Sequence, residues 1–383
     1  MLHPATAAGD IFTDLIVFGD SLSDSGNTQY TTSTGFLGLF APDTPGDAYF
    51  EGRFSNGLVW TDWASRVLTP SDPISPQRTG GDNFAFGGAR TEGTDFLTDI
   101  YIDDLVTQID TFQADRTGDP DALYTLLIGA NDFFNDNASG TPVAQLDFNT
   151  PAQRVGAALQ DLYNEGARNF LLLNLPWIGL TPSYNGNATE AAAWNTLSQD
   201  YNAQLASQAD QFRLANADAV LFELDTAGLL NNTIANATEL GFTNLTDSAA
   251  PGLEPGDNGY DPSQIVPNPD EYVFYDGVHP TARVHKLLGF AAVRAVVPTG
   301  DFNVDGEVTI ADYEFWRDNF GSTELLEADA NGNGVVDTGD YTIWRDAFAA
   351  AAPASAPEPT AAGLLAAVSF ILASGRRRST STD

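Results

Sequence analysis

The sequence predicts a three-layer α/β/α domain built on a parallel β-sheet. Short apolar runs, which are typical of buried strands, alternate with segments whose apolar residues recur every three or four positions, as in amphipathic helices. Several of the apolar runs end abruptly in Gly, Asp or Asn, the residues of tight loops. Strands that alternate with helices need right-handed crossovers, which place helices on both faces of a parallel sheet.

The elements of this domain are predicted from these two patterns and are expected to span residues 12–297. The strands are expected at 15–18, 83–86, 123–128, 170–175 and 219–224. The helix faces are marked by Val59, Trp63 and Val67, by Leu105, Ile109 and Phe112, by Val155, Leu159 and Leu162, by Leu197, Tyr201 and Leu205, and by Val284, Leu287, Leu288 and Val293. Two polar segments, 29–55 and 225–270, are predicted to be long loops beside the functional site.

Composition limits the class of protein. The chain has 383 residues, 43% of them hydrophobic, and six tryptophans, so it can fill one large core and a smaller unit. Its 16 Lys and Arg against 52 Asp and Glu give a net charge of -36, which argues against nucleic acid as a partner. Excess acid suits calcium, which binds clustered oxygen ligands. The absence of cysteine excludes disulfides, thiolate zinc sites and cysteine nucleophiles.

A serine follows the first apolar run, in the sequence Gly19-Asp20-Ser21-Leu22. Parallel α/β folds place their chemistry outside the carboxyl ends of the strands, which is where this serine is expected. A serine hydroxyl is a weak nucleophile unless an adjacent base takes its proton. The segment therefore requires a base from elsewhere in the chain.

The base is expected to be His279. The chain has three histidines, of which His3 lies in the predicted disordered start and His285 fits an ordinary position in the last helix. His279 lies in a turn of sequence Tyr-Asp-Gly-Val-His-Pro-Thr, in which Asp276 precedes it across a glycine. In such a turn Asp276 can hold the imidazole by one ring N–H, which selects the tautomer whose other nitrogen faces Ser21.

Acyl transfer also needs hydrogen-bond donors for the oxyanion that develops in the transition state. The candidate donors are the backbone N–H of Ser21, the backbone N–H of a glycine in Gly87-Gly88, and the side-chain amide of Asn131. A glycine allows close approach because it has no side chain. Which glycine donates depends on alignment, and counting from Asn83 favours Gly88.

These segments resemble, in the same order, the motif blocks of the GDSL (SGNH) hydrolases. The likeness rests on Gly19-Asp20-Ser21-Leu22, on Asn83 to Ala89, on Gly129-Ala130-Asn131-Asp132 and on Asp276 to Thr281, while Leu171 to Gly179 resembles the plant-type branch of the family. The resemblance implies a flavodoxin-like sheet over 12–297. It also implies a triad of the nucleophile Ser21 with His279 and Asp276, and no cofactor for catalysis.

The function that this resemblance implies is hydrolysis of carboxylic esters through an acyl-enzyme. The family includes esterases and lipases as well as carbohydrate acetylesterases, so lipid esters and acylated polysaccharides both stay open as substrates. The alternative from another class is a calcium-dependent surface adhesin with an inactive catalytic domain. The intact set of Ser21, Asp276, His279 and Asn131 argues against that alternative.

A different pattern occupies residues 300–348. The segments 301–312 and 329–340 carry oxygen-bearing side chains at the spacing of calcium loops, with glycine at the sixth position. The candidate Ca²⁺ ligands are Asp301, Asn303, Asp305, Glu307 and Asp312 in the first loop, and Asp329, Asn331, Asn333, Val335 and Asp340 in the second. Glu307 and Val335 would each offer a backbone carbonyl. An aspartate replaces the glutamate that usually ends such loops.

Both loops are followed by the same pattern, Asp-Tyr and then Trp-Arg. Two such units resemble the duplicated calcium repeats of type I dockerins. The resemblance implies a small all-α module that depends on Ca²⁺ to fold. It also implies a cohesin-like protein as one class of partner, although similar repeats occur outside cellulosomes.

The chain ends carry features of sorting signals. Residues 1–11 are predicted to be disordered, and Ala5-Thr6-Ala7 has the pattern of a cleavage site, so an upstream signal peptide or an ordinary disordered start is expected. An Ala/Pro linker, 349–356, precedes 357–383, where Pro-Glu-Pro, an apolar helix and three arginines resemble a PEP-CTERM signal. That resemblance implies export, transient anchoring in the inner membrane, an exosortase-type partner, and a final location in the cell envelope or outside the cell.

Overall fold

A four-stranded parallel sheet forms the centre of the structure. The computed structural model describes residues 11–34, 43–69, 74–93, 101–257 and 259–351. The strands are β1 (Leu15–Gly19), β2 (Leu123–Leu127), β3 (Asn169–Leu173) and β4 (Val220–Leu224), hydrogen-bonded in the order β1-β2-β3-β4. Because all four strands run in one direction, their carboxyl ends lie along one edge of the sheet.

The strand sequences explain why the sheet is buried on both faces. Every residue of β1 and β2 is buried, and β3 is buried after its first residue. Continuous apolar runs of this kind are typical of parallel sheets that helices cover on both sides. β4 differs because it lies at the edge of the sheet, where Val220 is 47% exposed.

Helices on both faces confirm the predicted three-layer architecture. They are α1 (Asn27–Ser33), α2 (Trp60–Leu68), α3 (Leu105–Asp115), α4 (Ala130–Ala138), α5 (Asn149–Glu165), α6 (Ala188–Ala215), α7 (Thr226–Ala235) and α8 (Ala282–Val296). Of these, α2, α7 and α8 pack together on one face, and α3, α5 and α6 pack on the other. The α/β domain therefore buries its sheet between two helical layers.

The predicted strand 83–86 lies beside β1 but is not a full strand. Two of its backbone N–H groups donate to β1 carbonyls, at 2.7 and 3.2 Å, and only isolated bridges form. On its outer side, the Asn27 side-chain amide donates to the carbonyls of Asn83 and Ala85, at 2.7 and 2.9 Å. The Asn27 side chain thus makes the hydrogen bonds that a further strand would make. With this segment next to β1, the sheet has the flavodoxin-like order.

The prediction of a continuous loop over 225–270 is wrong. This range contains α7 and the strand β5 (Asn244–Ser248), which pairs in parallel with β6 (Tyr272–Phe274) in a second, two-stranded sheet. The Asp225 side chain accepts the Gly228 N–H and caps α7. Asn and Thr residues between the apolar positions of α7 obscure its periodicity, and α1 is missed within 29–55 for the same reason.

The residues after α8 form a small module of two loops and two helices. α9 (Ile310–Asp318) begins within the first loop, and α10 (Thr338–Ala351) begins within the second. The indole N–H of Trp316 in α9 donates to a carbonyl of the second loop at 2.8 Å. The indole N–H of Trp344 in α10 donates to a carbonyl of the first loop at 3.0 Å. Each helix is therefore tied to the loop of the other unit.

The predictions for the chain ends lie largely outside the described residues. α10 continues to Ala351, so the first three residues of the predicted linker 349–356 are helical. The rest of that linker, the tail 357–383 and residues 1–10 fall outside the described ranges. Within the ranges that are described, no helix is long and apolar enough to cross a membrane.

We expect Asn27→Ala to lower the free energy of unfolding by about 2–4 kcal/mol. The fully buried Asn27 side chain bonds three backbone groups. Alanine leaves the Arg78 N–H and the Ala85 carbonyl without a partner, while the Asn83 carbonyl keeps a backbone donor. Urea unfolding followed by circular dichroism measures the change. In the control Asn236→Ala, an exposed amide that bonds only within its own helix is lost, so a change below about 0.5 kcal/mol is expected. Equal losses in the two variants would contradict this assignment.

Candidate active site

Four segments of the chain meet at the end of the sheet where the parallel strands have their carboxyl termini. Ser21 follows β1, Gly88 follows the 83–86 segment, and Asn131 lies in the first turn of α4, just after β2. His279 lies in the turn between β6 and α8. All four residues line one pocket. The structure thus brings together residues that the chain separates widely, at the edge where parallel strands end.

Ser21, His279 and Asp276 form one continuous hydrogen-bonded chain. His279 Nε2 lies 2.8 Å from Ser21 Oγ, and His279 Nδ1 lies 2.7 Å from Asp276 Oδ2. All three side chains are buried. Because a carboxylate can only accept, Nδ1 carries the proton in this arrangement and Nε2 can accept one from the serine.

The backbone fixes the turn that carries Asp276 and His279. Asp276 Oδ1 accepts the N–H groups of Val278 and His279, at 2.9 and 2.7 Å. The Tyr275 N–H donates to the His279 carbonyl at 2.8 Å and closes the turn. One carboxylate oxygen therefore holds the turn while the other faces the imidazole, which orients the ring toward Ser21.

Burial and mutual attraction set the charges of this pair. Burial alone would raise the pKa of Asp276, but His279 and the hydrogen bonds to the carboxylate hold that pKa below its ordinary value. Burial alone would lower the pKa of His279, but the Asp276 carboxylate raises it above its ordinary value. An ionised carboxylate thus stabilises the protonated imidazole, as a general base requires.

A tyrosine absent from the sequence-based site extends this chain. The Tyr49 O–H donates to Asp276 Oδ2 at 2.6 Å, the oxygen that also faces His279 Nδ1. Burial and the neighbouring carboxylate raise the pKa of Tyr49, so its hydroxyl keeps its proton. The ring of Phe54 lies 5.3 Å from the imidazole ring. Both aromatic residues lie in the predicted loop 29–55, where no local pattern distinguishes them from other aromatic residues.

The buried carboxylate of Asp24 organises the loop after Ser21. It accepts the N–H of Gly26, two N–H groups in the first turn of α1, and the N–H of Gly87, the last at 3.0 Å. The Gly87 donor is therefore engaged with the protein. Gly88 follows it on the pocket wall with φ of 83°, a backbone conformation that favours glycine. This arrangement favours Gly88 over Gly87 as a donor to a bound ligand.

The Asn131 amide is oriented by one hydrogen bond, from Nδ2 to the carbonyl of Ala89 at 3.0 Å. Its amide nitrogen carries a second N–H that a ligand can use. The next residue, Asp132, accepts the N–H and O–H of Thr91, at 2.9 and 2.6 Å. The start of α4 is thus bonded to the loop that carries Gly88, so these two donor segments are held together.

A second carboxyl group lies beside Ser21. Asp20 is buried, and its Oδ1 accepts the Leu22 N–H at 3.1 Å. Burial raises the pKa of Asp20 to about 7, although that hydrogen bond and the charge of His279 act in the opposite direction. Near neutral pH this carboxyl is partly protonated, which reduces the negative charge in the pocket.

Apolar side chains form most of the pocket wall. The pocket has a volume of about 280 Å³. Its apolar lining consists of Leu22, Phe54, Ile102, Phe134, Leu175, Pro176, Ile178, Pro255 and Val278. A second apolar cavity of about 70 Å³ shares Leu22, Pro176, Thr181 and Val278 with it. The space next to Ser21 therefore suits the apolar part of an ester.

Of the two remaining histidines, the one that the structure describes does not join the site. His3 lies outside the described residues. His285 is fully buried in α8, and burial lowers its pKa to about 3, so the ring is uncharged. Neither ring nitrogen has a hydrogen-bond partner among the described residues. His285 therefore packs as part of the helix, as its position in the sequence predicts.

The two predicted calcium loops have matching structures. Asp301 and Asp312 in the first loop, and Asp329 and Asp340 in the second, are buried and accept backbone N–H groups of their own loop. Burial raises the pKa of Asp301 and of Asp340 to about 6. Within the described ranges, no three His, Cys, Asp or Glu side chains converge to hold a metal by themselves. Asparagine and backbone oxygens would have to complete either site, and both are normal calcium ligands.

The fold and the pocket together define a class of protein. A parallel α/β/α sheet with serine, histidine and aspartate in hydrogen-bond contact at its carboxyl edge is an arrangement used in acyl transfer to water. Comparison with known families agrees, because the model of the family GDSL-like Lipase/Acylhydrolase matches residues 15–291. The chain belongs to this family and is a carboxylic ester hydrolase.

Curated relatives carry names of the same kind. A GDSL esterase/lipase of Arabidopsis thaliana is 27% identical over 74% of this chain and 82% of its own. The secreted effector protein SseJ of Salmonella typhimurium is 28% identical over 72% of this chain and 62% of its own. A phosphatidylcholine-sterol acyltransferase of Aeromonas hydrophila is 34% identical over 56% of this chain and 59% of its own. The chain thus spans less than two thirds of both bacterial relatives.

Two solved structures are also similar. A member of the lipolytic G-D-S-L family from Veillonella parvula matches 74% of this chain and 98% of its own, with a TM-score of 0.39 and 14% identity. The acetylxylan esterase Axe2 from Geobacillus stearothermophilus matches 75% of this chain and 95% of its own, with a TM-score of 0.38 and 11% identity.

We expect Tyr49→Phe to move the acid limb of the kcat/KM profile to higher pH. Without the Tyr49 donor, the Asp276 charge is less satisfied and attracts the imidazolium more strongly, which raises the pKa of His279 further. Only the neutral imidazole accepts a proton, so activity at pH 6 should fall about tenfold and activity at pH 9 much less. Steady-state assays from pH 5 to 10 measure this.

Tyr30→Phe is the control, because Tyr30 is 43% exposed. Its profile should match that of the unmutated chain. A Tyr49→Phe variant whose activity falls equally at every pH would show that the hydroxyl supports packing and not the charge of the pair.

Proposed function

We propose that the chain hydrolyses esters through a Ser21–His279–Asp276 triad. The hydrogen-bonded chain from Ser21 Oγ through both imidazole nitrogens to Asp276 carries this proposal. His279 takes the Ser21 proton as Oγ attacks the ester carbonyl, and it returns a proton to the leaving alcohol. Water, activated by the same imidazole, then cleaves the acyl-enzyme and restores the serine.

The oxyanion of each tetrahedral intermediate would be stabilised by three donors. They are the backbone N–H groups of Ser21 and Gly88 and the side-chain amide of Asn131. All three residues line the pocket, and Asn131 is already oriented by the Ala89 carbonyl. A donor of this kind contributes on the order of 10²–10³-fold in rate. The proposed steps use groups of this chain alone.

Esters with an apolar acyl chain are the substrates that the pocket supports best. Its walls next to Ser21 are mainly aliphatic and aromatic, and a second apolar cavity adjoins them. The acyltransferase relative is named for phosphatidylcholine and sterol, which is in keeping with lipid-like substrates. Acylated polysaccharide is the alternative substrate class. A non-catalytic adhesin is disfavoured because it would not need the aligned Ser21, His279 and Asp276.

Hydrolysis of p-nitrophenyl esters of graded chain length, beside acetylated xylan, tests this function. We expect Ser21→Ala to lower kcat by at least about 10³-fold, because no other group can form the acyl-enzyme. Ser25→Ala is the matched control, since Ser25 lies in the same loop and is also buried. Faster release from longer acyl chains supports the lipid-like class, and preference for acetylated xylan supports the alternative. Full activity in Ser21→Ala would refute the triad.

We infer that the two C-terminal loops bind calcium. Their buried aspartates collect negative charge that the backbone donors only partly satisfy. The ligands would be Asp301, Asn303, Asp305, Glu307 and Asp312 in the first loop, and Asp329, Asn331, Asn333, Val335 and Asp340 in the second. Bound calcium would supply structural charge neutralisation and take no part in ester cleavage. A cohesin-like protein is the partner class that the dockerin resemblance suggests.

We also propose that the protein is exported and sorted through the segment 357–383. The support is its sequence: Pro-Glu-Pro, an apolar stretch and an arginine cluster. An exosortase-type enzyme would remove the segment and release the protein to the cell envelope or the medium.

Fractionation of a bacterium that has an outer membrane and an exosortase tests this sorting. The chain with 357–383 should appear first in the inner-membrane fraction, and the chain without this segment should not, because it lacks the apolar anchor. Replacement of the three arginines by serine is the control for charge, and it should weaken retention only in part. Identical distributions of the full-length and shortened chains would contradict the proposal.

A further inference from the structure

The calcium-loop module packs directly on helix α8 of the hydrolase domain. Leu326 of the module joins an apolar cluster with Leu287 and Phe290 of α8. The Lys286 ammonium of α8 donates to the Thr323 carbonyl at 3.1 Å and pairs with Glu324. Apolar packing and an ion pair therefore fix the module to the helix that follows the catalytic histidine.

Arg294, in the last turn of α8, reaches the second loop. A Cβ atom placed on Gly332 of that loop would lie 3.1 Å from Arg294 Nη2, so the guanidinium lies directly against the loop backbone. Arg294 Nη1 is enclosed and has no hydrogen-bond partner among the described residues. Burial lowers the pKa of Arg294, while the charges of Asp329 and Asp340 partly offset this. A cation is thus held beside the carboxylates of the second loop.

The surroundings of Arg294 are rich in acid. Arg294 lines a cavity of about 80 Å³ together with Asp301 and Glu327. Glu327 Oε2 is buried there, with no hydrogen-bond partner in the described part of the chain. A buried cation and a buried carboxyl group that lack full hydrogen bonding are costly. Because Arg294 is buried here all the same, the nearby carboxylates must stabilise its positive charge.

The two loops differ in their charged neighbours. The Arg294 guanidinium lies against the backbone of the second loop at Gly332. It faces Asp301 of the first loop only across the cavity that both residues line. The second loop also has Asn333 where the first has Asp305. The first loop therefore offers a cation more negative charge than the second.

We propose that Arg294 is a built-in counter-cation of the second loop, which neutralises its carboxylates without metal and opposes calcium there. The inference rests on the proposed binding of calcium by both loops. It makes the loops unequal, because the fixed positive charge lies directly against the backbone of the second loop, whereas the first loop meets it only across a cavity of about 80 Å³.

Isothermal titration calorimetry of the full chain, freed of metal with EDTA, tests this. Asp301→Ala disables the first loop, so calcium binding in that background reports the second loop. Arg294→Met then removes the cation, and Arg294→Lys keeps one. Arg168→Gln removes an arginine that pairs with the exposed Asp218, and it controls for net charge.

We expect Arg294→Met to tighten calcium binding by the second loop roughly tenfold, because a like charge has been removed. Arg294→Lys and Arg168→Gln should change it less than about twofold. The melting temperature gives a second readout: Arg294→Met should lower it in EDTA and show a larger rise with calcium than Arg294→Lys. If Arg294→Met is unfolded without metal, calcium should refold it. Refolding at a calcium concentration below the one that saturates the second loop of the Asp301→Ala parent supports the same inference.

Unchanged or weaker calcium binding by the second loop in Arg294→Met would overturn the inference while leaving the proposed calcium function in place. A full chain that binds no calcium in either loop would overturn both. These two failures are distinguishable, because the calorimeter records calcium binding in the former case and none in the latter.

Discussion

The carboxylate of Asp276 is the group on which the arrangement of the site depends. One oxygen accepts the N–H groups of Val278 and His279, and the other accepts the imidazole N–H and the Tyr49 O–H. A buried carboxylate stays ionised only when donors of this kind replace water. Because these donors converge, Asp276 fixes both the direction and the basicity of His279. The 2.8 Å contact with Ser21 follows from that orientation.

Helix α8 links this site to the rest of the molecule. Its first turn follows His279, its apolar face packs against α2 and the sheet, and its far end carries Arg294 at the second loop. Only residues 297–300 separate α8 from the first loop, so the module is joined by contact and not by a long linker. The turn that carries Asp276 and His279 and the two C-terminal loops are therefore attached to one helix.

How much could be predicted from the sequence depends on whether a feature is local. The fold class followed from strand and helix periodicity, and Ser21, Asp276, His279, Gly88 and Asn131 followed from short motifs at strand ends. Tyr49 could not be predicted, because its contact with Asp276 joins positions 227 apart and has no local pattern. The 83–86 segment is not the full strand that was predicted, because the Asn27 side chain makes the hydrogen bonds on its outer side. That contact joins distant parts of the chain and leaves no local sequence pattern. Helix α7 was missed because its stability comes from packing on α8 and not from its own periodicity.

Covalent labelling tests most directly whether the imidazole at 279 activates the hydroxyl at 21. The chain is treated with a fluorophosphonate, which reacts only with an activated serine, and the labelled peptide is located by mass spectrometry. We expect a single adduct on Ser21, formed more slowly as the pH falls below the pKa of His279, and no adduct in His279→Ala. An adduct on another serine, or equal labelling of Ser21 without His279, would contradict it.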